Sequence, residues 1–464
     1  MFKFQLRSLT GLAKPITYVS QAEIFDGTKP RIPRKKKTPS YKKNKQEHPQ
    51  PTEIISADDN KHNLCLSFEK PHETVAISKL WLRDACTCQS CVSPSSGQKT
   101  FATTDVPLSP EVAKSNVTSN GHLEVTWAND FRDGQNHDSL YTAEFLNKYV
   151  LRPQPPPQNL PRSLWNKSQL ETVLSPITYA EWMSGGEDFV RAFFDLIRYG
   201  IIFLRDVPLE ETSVEEIAKQ IGHLQSTFYG LTWDVISKPE AENVAYTNVF
   251  LGLHQDLMYW NDVPKIQILH CLENSCEGGD SIFSDGLRTA LEIQATNRQY
   301  FTILRKVRVP YHYDIAPHKY RRDRPVIATG SGNQKRNARH AIRDVYWSPP
   351  FQAPFFALKE VPGLFVPGKE EQKVWHAAAK VFKDGIEAPE NVFQYKMKPG
   401  DCVLFDNRRV FHGRREFDTS SGKRWLKGGY ISSEVLHSKA SSLKEAGLMP
   451  VESPSQERFK LETV

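Results

Sequence analysis

The sequence predicts a mainly β protein with flanking helices, in which a small β-rich domain precedes a larger barrel or jelly-roll domain. Two observations predict this class. Short strand-like runs, broken by Pro, Gly and Asp turns, fill residues 51–150 and about 241–435. Between these regions, the Pro-rich stretch Pro153-Gln154-Pro155-Pro156-Pro157 favours a stiff, extended connector.

The N-terminal region is predicted to be built from strands at 64–68, 73–77 and 122–127. We find no internal repeat along the chain. The composition shifts therefore give a basic leader at 1–50, an N-terminal domain at 51–150, a linker at 151–175, the larger domain at 176–440 and a tail at 441–464.

The larger region is predicted to begin with helices and a buried strand. Apolar residues recur at helical spacing over 187–199, and an apolar run follows at 200–204. Ser213, with Glu216 three residues on, has the capping-box pattern and predicts a helix at 213–221. One long helix near 370–383 is expected to interrupt the later strands, and the adjoining segment 363–371 suggests no role of its own.

The net positive charge of the chain comes from the leader. Residues 1–50 hold 12 Lys and Arg against 3 Asp and Glu, whereas the whole chain has a formal charge of only +6. No acid precedes Glu23, and this basic, acid-poor pattern is typical of a mitochondrial presequence. The alternatives are a cytoplasmic protein with a disordered tail, or a nucleic-acid arm at 31–45 that no other basic surface supports. We expect no nucleic-acid partner.

Two further classes of protein are excluded. The most apolar run, 200–204, ends at Arg205 and is far shorter than the roughly 20 residues of a membrane-spanning helix, so we expect no membrane partner. Seven cysteines, an odd number, without a secretory signal pattern argue against a disulfide framework. Three of them cluster at Cys86, Cys88 and Cys91, where thiolates and one histidine would suit tetrahedral zinc.

The pattern that carries redox chemistry is an H-x-D tripeptide followed far downstream by a second histidine. His254 and Asp256 lie two residues apart in a segment expected to be extended, so both side chains point to one side. His412, from a neighbouring strand, would complete two imidazoles and one carboxylate on one face of an octahedral metal. Three adjacent positions then stay open, which predicts a non-haem iron oxygenase.

With these motifs in place, residues 76–435 resemble the γ-butyrobetaine dioxygenase family of the taurine-dioxygenase-like superfamily, with the trimethyllysine dioxygenases next. The resemblance implies a double-stranded β-helix (jelly-roll) catalytic core behind a small zinc domain, assembled as a homodimer. It also implies Fe(II), 2-oxoglutarate, O2, ascorbate and structural zinc. The shared motifs are Trp81-Leu82-Arg83-Asp84, Thr227-Phe228-Tyr229-Gly230, Asn243-Val244-Ala245-Tyr246-Thr247, Leu269-His270-Cys271, Gly400-Asp401, Phe405-Asp406-Asn407 and His412-Gly413-Arg414-Arg415.

The resemblance assigns roles to single residues. Arg424, 12 residues after His412, and Ser281, 25 residues after Asp256, would hold 2-oxoglutarate. A guanidinium suits its distal carboxylate because it can donate two parallel hydrogen bonds. Spacing alone does not choose between His122 and His137 for the zinc, and the resemblance selects His137. The iron ligands would be His254, Asp256 and His412, and the zinc ligands Cys86, Cys88, Cys91 and His137.

The substrate pocket of the family binds a quaternary ammonium group, which cannot donate a hydrogen bond and is held by aromatic faces. All four matching positions are aromatic here, and they are Tyr229, Trp233, Tyr246 and Tyr430. Asn243 matches a residue that contacts the substrate carboxylate. The sequence departs from the family at Ser348-Pro349-Pro350, where an Asn-Asn pair is expected, and at Leu257, where an aromatic residue is expected.

The sequence therefore predicts a dioxygenase of carnitine biosynthesis that hydroxylates γ-butyrobetaine to L-carnitine and releases succinate and CO2. The alternatives within the class are a trimethyllysine dioxygenase or a hydroxylase of another small trimethylammonium substrate. From a different class, a non-catalytic binding module that docks through the basic leader would predict dispensable metal ligands. The intact set of candidate iron and 2-oxoglutarate residues argues against that module.

Overall fold

The computed structural model describes residues 54–69, 72–151, 162–236, 247–330, 342–356 and 367–448. The chain divides into two compact units, with the division between Gln154 and Pro155. The predicted leader and most of the Pro-rich connector lie outside the described residues. Within the described ranges, no helix has the length and apolar character needed to cross a bilayer.

The N-terminal unit contains two antiparallel three-stranded sheets, each with its strands in chain order. Apolar residues from both sheets form one core, because alternate side chains of each strand point inward. Strands were predicted at 64–68, 73–77 and 122–127, and β2, β3 and β5 confirm them. The elements are β1 (Ile54–Asp59), β2 (Asn63–Phe68), β3 (Glu73–Ser78), α1 (Lys79–Asp84), β4 (Glu111–Val117), β5 (Leu123–Ala128), β6 (His137–Tyr141) and α2 (Ala143–Leu146).

The second unit is a strand-rich core with helices on its outside. Its helices are α3 (Lys167–Val173), α4 (Tyr179–Ser184), α5 (Glu187–Tyr199), α6 (Ser213–Lys219), α7 (Gly286–Thr296), α8 (Arg298–Lys306), α9 (Lys369–Glu387) and α10 (Ser433–Glu445). Its strands are β7 (Ile177–Thr178), β8 (Ile201–Arg205), β9 (Thr232–Ile236), β10 (Leu251–His254), β11 (Ile266–Asn274), β12 (Glu277–Gly278), β13 (Ser281–Asp285), β14 (Arg308–Ile315), β15 (His318–Pro325), β16 (Ile327–Thr329), β17 (Ile342–Val345), β18 (Phe393–Tyr395), β19 (Cys402–Asp406), β20 (Val410–Arg414), β21 (Phe417–Asp418) and β22 (Arg424–Ile431).

Two sheets form the core of this unit. A six-stranded sheet has the order β7-β8-β19-β11-β22-β9, and a four-stranded sheet has the order β10-β20-β13-β18. Apart from the parallel pair β7 and β8, strands that follow one another in the chain are separated in both sheets, as expected when a chain winds between two faces of a jelly roll. The predicted mainly β class with flanking helices is confirmed.

The space between the two sheets is filled with apolar side chains. Phe283 of β13 meets Phe203 of β8 and Phe405 of β19 edge to face, with ring centroids 6.0 and 5.6 Å apart. The opposite face of the six-stranded sheet packs against α4, α5, α6 and α10. Gly200, with φ of 78°, ends α5 in the left-handed conformation and lets the chain turn directly into the buried strand β8.

Two predictions about helices are corrected. α6 begins at Ser213, but no capping box forms, because the Ser213 hydroxyl donates to the carbonyl of Pro208 and Glu216 pairs with Lys219. The long helix near 370–383 is present as α9, yet it is not alone among the strands of this region. α7 and α8 also lie there, and each begins at a side-chain cap, Asp285 or Asn297.

Candidate active site

His254 and His412 face each other at one end of the four-stranded sheet. They are cross-strand partners on β10 and β20, and their ring centroids are 4.4 Å apart. Asp256 lies in the bend that follows β10. Its Oδ1 is 3.4 Å from Nε2 of His254 and 3.9 Å from Nε2 of His412. These separations suit one metal ion that all three atoms approach at about 2.0–2.2 Å.

The bend carrying Asp256 is fixed by its backbone. We predicted an extended segment through both residues, but β10 ends at His254, and Leu257 adopts a positive φ of 60°. The side chain of Asn407 accepts a hydrogen bond from the Asp256 amide and donates one to the Asp256 carbonyl, both at 3.0 Å. Asn407 is fully buried, so this clamp holds the bend from beneath.

The protonation states of the two histidines and of Asp256 favour metal binding. Nδ1 of His254 is 2.8 Å from the carbonyl of Gly252, which assigns its proton to Nδ1 and leaves the lone pair on Nε2 toward Asp256. Burial and the neighbouring His254 lower the pKa of His412 to about 3, so this imidazole is neutral. Burial would raise the pKa of Asp256, but the hydrogen bond that the Tyr430 hydroxyl donates helps to hold it well below its usual range.

The opposite carboxylate oxygen of Asp256 is held by two donors. The amide nitrogen of Gln267 and the hydroxyl of Tyr430 each lie 2.8 Å from Oδ2. Gln267 was not predicted, since a single Gln in an apolar strand gives no sequence signal for a role. The donor set presented to a metal is thus two imidazole nitrogens and one carboxylate oxygen, which fits a non-haem Fe(II) centre.

The three candidate ligands line a cavity that the candidate 2-oxoglutarate residues also line. Arg424 begins β22 and Ser281 begins β13, and both are buried. Burial lowers the pKa of Arg424 to about 10, which is still high enough to keep the guanidinium charged near neutral pH. Its Nε donates to the carbonyl of Gly279, where a Cβ would come within 3.2 Å of the arginine side chain.

Arg414 also lines this cavity, and sequence reasoning gave it no role. It follows His412 by two residues on β20, so the strand periodicity could have placed both on one face. Burial and the charge of Arg424 lower its pKa to about 10. Two buried guanidinium groups therefore give this end of the cavity a strong positive character.

Aromatic rings line the other side. Trp233 of β9 lines the cavity, and its ring centroid is 5.2 Å from that of Tyr430. The indole Nε1 of Trp233 is buried and has no hydrogen-bond partner among the described residues. Tyr229 is hydrogen-bonded to Tyr259, next to the bend of Asp256. The predicted substrate residues Asn243 and Tyr246 lie outside the described residues.

Sequence reasoning missed an aromatic group formed by the β14–β15 hairpin and the loop after Asp256. Phe228 stacks on Tyr320 with centroids 5.1 Å apart, and Tyr259 lies 5.5 Å from Tyr313. Arg324 of β15 donates to the carbonyls of Met258 and Asn261, both at 2.9 Å, and so fixes this loop against the hairpin. The signal was hidden because these rings are far apart in the sequence.

The N-terminal unit brings the three clustered cysteines to one histidine. Nε2 of His137 is 3.4 Å from the sulfur of Cys86 and 3.5 Å from those of Cys88 and Cys91. These distances fit four ligands around one zinc ion, whose bonds to sulfur and nitrogen are about 2.3 and 2.1 Å. His122 lies elsewhere, where its Nδ1 accepts a hydrogen bond from the amide of Ala143. All seven cysteines lie in the described residues and are free of disulfide bonds.

A buried arginine supports this cluster. Arg83 forms a two-point ion pair with Asp130, at 2.6 and 2.9 Å, and donates through Nη1 to the sulfur of Cys91 at 3.5 Å. Its guanidinium also lies over the ring of Phe131, 4.8 Å from the centroid. Burial raises the pKa of the Cys91 thiol, and the fixed cation of Arg83 opposes this rise and so favours the thiolate form that a metal requires.

Two family models match separate parts of the chain. Residues 163–430 match the taurine catabolism dioxygenase TauD, TfdA family, and residues 55–147 match the gamma-butyrobetaine hydroxylase-like N-terminal family. Dioxygenase str8 of Strobilurus tenacellus is 34% identical over 381 residues, which cover 78% of this chain and 84% of that protein.

Two further relatives are similar over most of their length. Gamma-butyrobetaine dioxygenase of Pongo abelii is 27% identical over 375 residues, covering 79% of this chain and 90% of that protein. Mitochondrial trimethyllysine dioxygenase of Bos taurus is 26% identical over 389 residues, covering 82% and 86%. A solved structure of asparagine oxygenase with Fe(II), 3-hydroxyasparagine and succinate aligns at 16% identity and a TM-score of 0.41, over 55% of this chain and 84% of that one.

A jelly-roll core with two histidines and one carboxylate in the lining of a positively charged cavity defines the class as Fe(II)- and 2-oxoglutarate-dependent oxygenases. The chain belongs to the taurine catabolism dioxygenase TauD, TfdA family and is a 2-oxoglutarate-dependent dioxygenase. The predicted enzyme class is confirmed.

Proposed function

We propose that the chain hydroxylates a small trimethylammonium compound, with γ-butyrobetaine as substrate and L-carnitine as product. The observation that carries this proposal is the indole of Trp233, which lines the same cavity as His254, Asp256 and His412 and packs 5.2 Å from the buried ring of Tyr430. A quaternary ammonium is attracted to ring faces within about 6 Å, and this attraction is strongest where water is excluded.

In this proposal His254, Asp256 and His412 hold Fe(II), and Arg424 with Ser281 holds the distal carboxylate of 2-oxoglutarate. When bound, the iron and its cosubstrate allow O2 to oxidise 2-oxoglutarate to succinate and CO2 while one oxygen atom enters a substrate C–H bond. The residues of the chain hold the cosubstrate in position. Buried Arg424 offers a charged, planar donor, and the buried sheet around it keeps water from competing for the anion.

The cation end of the substrate is supported better than its carboxylate end. Trp233 lines the cavity and offers an aromatic face that can attract a cation. Ser348, at the position of the family's Asn-Asn pair, is buried, and its hydroxyl has no partner among the described residues. Leu257 is likewise buried and offers no polar group.

The remaining assignments rest on the same resemblance. We propose a structural zinc ion at Cys86, Cys88, Cys91 and His137, stimulation by ascorbate, and a homodimer. We also propose a mitochondrial location, which is supported by the basic leader and by the mitochondrial name of the bovine relative.

The test is 2-oxoglutarate turnover, followed as succinate by NMR, with Fe(II) and ascorbate and with γ-butyrobetaine, trimethyllysine or no substrate. We expect γ-butyrobetaine to stimulate succinate release with an equal amount of carnitine. Asp256→Ala should abolish turnover, whereas Asp262→Ala, a matched change at an exposed acid paired with Arg408, should not. Turnover of trimethyllysine alone would assign the paralogous reaction, and stimulation by neither compound would overturn the substrate.

A further inference from the structure

Gln267 and Tyr430 form a cross-strand pair directly beneath the candidate iron site. They are register partners on the adjacent strands β11 and β22, and both side chains are buried. Each donates one hydrogen bond, at 2.8 Å, to the same atom, Oδ2 of Asp256. Two neighbouring strands of the six-stranded sheet therefore donate hydrogen bonds to one oxygen of Asp256, which follows a strand of the four-stranded sheet.

The two oxygens of Asp256 are consequently not equivalent. Oδ1 faces the Nε2 atoms of both histidines, whereas the lone pairs of Oδ2 are engaged by two donors. A carboxylate with both oxygens free can bind a metal through one or two of them, and the second mode fills a further coordination position. Occupation of Oδ2 leaves only Oδ1 for the metal, which keeps three positions open for the cosubstrate and O2.

We propose that Gln267 and Tyr430 are positioning residues that hold Asp256 in a one-oxygen binding mode, and that Tyr430 thereby links the substrate wall to the metal. This inference rests on the proposed role of Asp256 as an iron ligand. Tyr430 serves both purposes with different atoms: its ring packs 5.2 Å from Trp233, and its hydroxyl reaches Asp256.

The test separates the ring from the hydroxyl. Tyr430→Phe keeps the aromatic face and removes the donor, and Gln267→Met keeps the approximate shape of that side chain and removes its amide. Tyr395→Phe is a matched control, because Tyr395 donates to Oδ2 of Asp401 at the same 2.8 Å. Each protein is first given one equivalent of Zn(II), so that the cluster of Cys86, Cys88, Cys91 and His137 is filled, and is then titrated with Co(II), followed by visible absorption, after its unfolding midpoint shows that it is folded.

We expect each single variant to bind Co(II) about 10- to 100-fold more weakly than the unaltered chain, the usual effect of losing an outer hydrogen bond to a ligand. The control should stay within about twofold. In the double variant Oδ2 is free, so the absorption bands should change with the number of bound ligand atoms. In turnover, Tyr430→Phe should lower kcat and leave KM for the ammonium substrate within about threefold, because the ring face that binds the cation is retained.

The titration distinguishes failure of the positioning role from failure of Asp256 as a metal ligand. If Asp256→Ala loses Co(II) binding while Tyr430→Phe and Gln267→Met bind as tightly as the unaltered chain, the positioning role is overturned and the iron site stands. If Asp256→Ala binds Co(II) unchanged, Asp256 is not a ligand, and both assignments are overturned. If Tyr395→Phe also binds Co(II) more weakly, the weaker binding of the other variants would be explained by lost packing, and the positioning role would be overturned.

Discussion

Gly428 lies directly beneath the indole of Trp233. The two residues are register partners on β22 and β9, and a Cβ at Gly428 would come within 2.5 Å of two ring atoms of the tryptophan. The cavity wall that we propose for the ammonium group therefore requires a residue without a side chain on the neighbouring strand.

Gly428→Ala should displace this indole and weaken substrate binding. Loss of one cation–π contact worth about 1–2 kcal/mol corresponds to a rise in KM for the ammonium substrate of roughly 5- to 30-fold. The KM for 2-oxoglutarate should stay within about twofold. Steady-state kinetics with each substrate varied in turn measures both values.

Gly429→Ala provides the control for this prediction. Its Cβ would point to the opposite face of the sheet and meet Val214 and Leu224 at 3.0 and 3.1 Å. We expect a loss of about 1–3 kcal/mol in the free energy of unfolding from overpacking, with KM unchanged. A higher KM for the ammonium substrate in Gly429→Ala, with none in Gly428→Ala, would contradict the proposed wall.

Replacement of Arg424 tests the cosubstrate end of the cavity. Arg424→Lys keeps the charge but removes the planar fork, so the KM for 2-oxoglutarate should rise about 10-fold, and Arg424→Gln should raise it further. Arg415→Lys, at an exposed arginine of the His412-Gly413-Arg414-Arg415 motif, should leave it unchanged. Equal KM values in all three variants would exclude Arg424 from the 2-oxoglutarate site.

The cysteine cluster predicts about one zinc ion per chain. Cys88→Ser should release it, because a structural site needs all four protein ligands. Cys65→Ser, at a free cysteine of β2 outside the cluster, should retain it. Metal analysis of the purified proteins measures the content, and a chelator should lower the unfolding midpoint only where zinc is present. Equal zinc in both variants would contradict the site.

His270 predicts a loss of stability in acid. The ring is fully buried, neither nitrogen has a partner among the described residues, and burial lowers the pKa to about 4. The unfolded chain, with a pKa near 6.5, binds the proton more readily, so stability is complete above about pH 6.5 and falls as the pH drops toward 4. Between pH 7 and pH 5 the loss should be about 2 kcal/mol.

Urea unfolding at these two pH values measures this contribution. His270→Leu should remove it, and His376→Leu, at an exposed ring of α9, should not. An undiminished acid loss in His270→Leu would assign the effect to other groups.

The local elements and the chemistry-bearing residues were predictable from short sequence patterns. The helical spacing over 187–199 predicted α5, and the H-x-D tripeptide with His412 named three residues whose ligand atoms meet in the structure. Helices α7 and α8 were not predicted because the residue that caps each of them, Asp285 or Asn297, resembles an ordinary turn residue.

By itself, the sequence determined which residue types are available and where strands and helices form, because these depend on neighbours along the chain. Only the tertiary structure decided which distant groups meet. It joined His137 rather than His122 to the cysteines, and it set Gln267 and Tyr430 against one oxygen of Asp256. Such contacts depend on strand order and register, which arise from packing of the whole core and leave no local trace in the sequence.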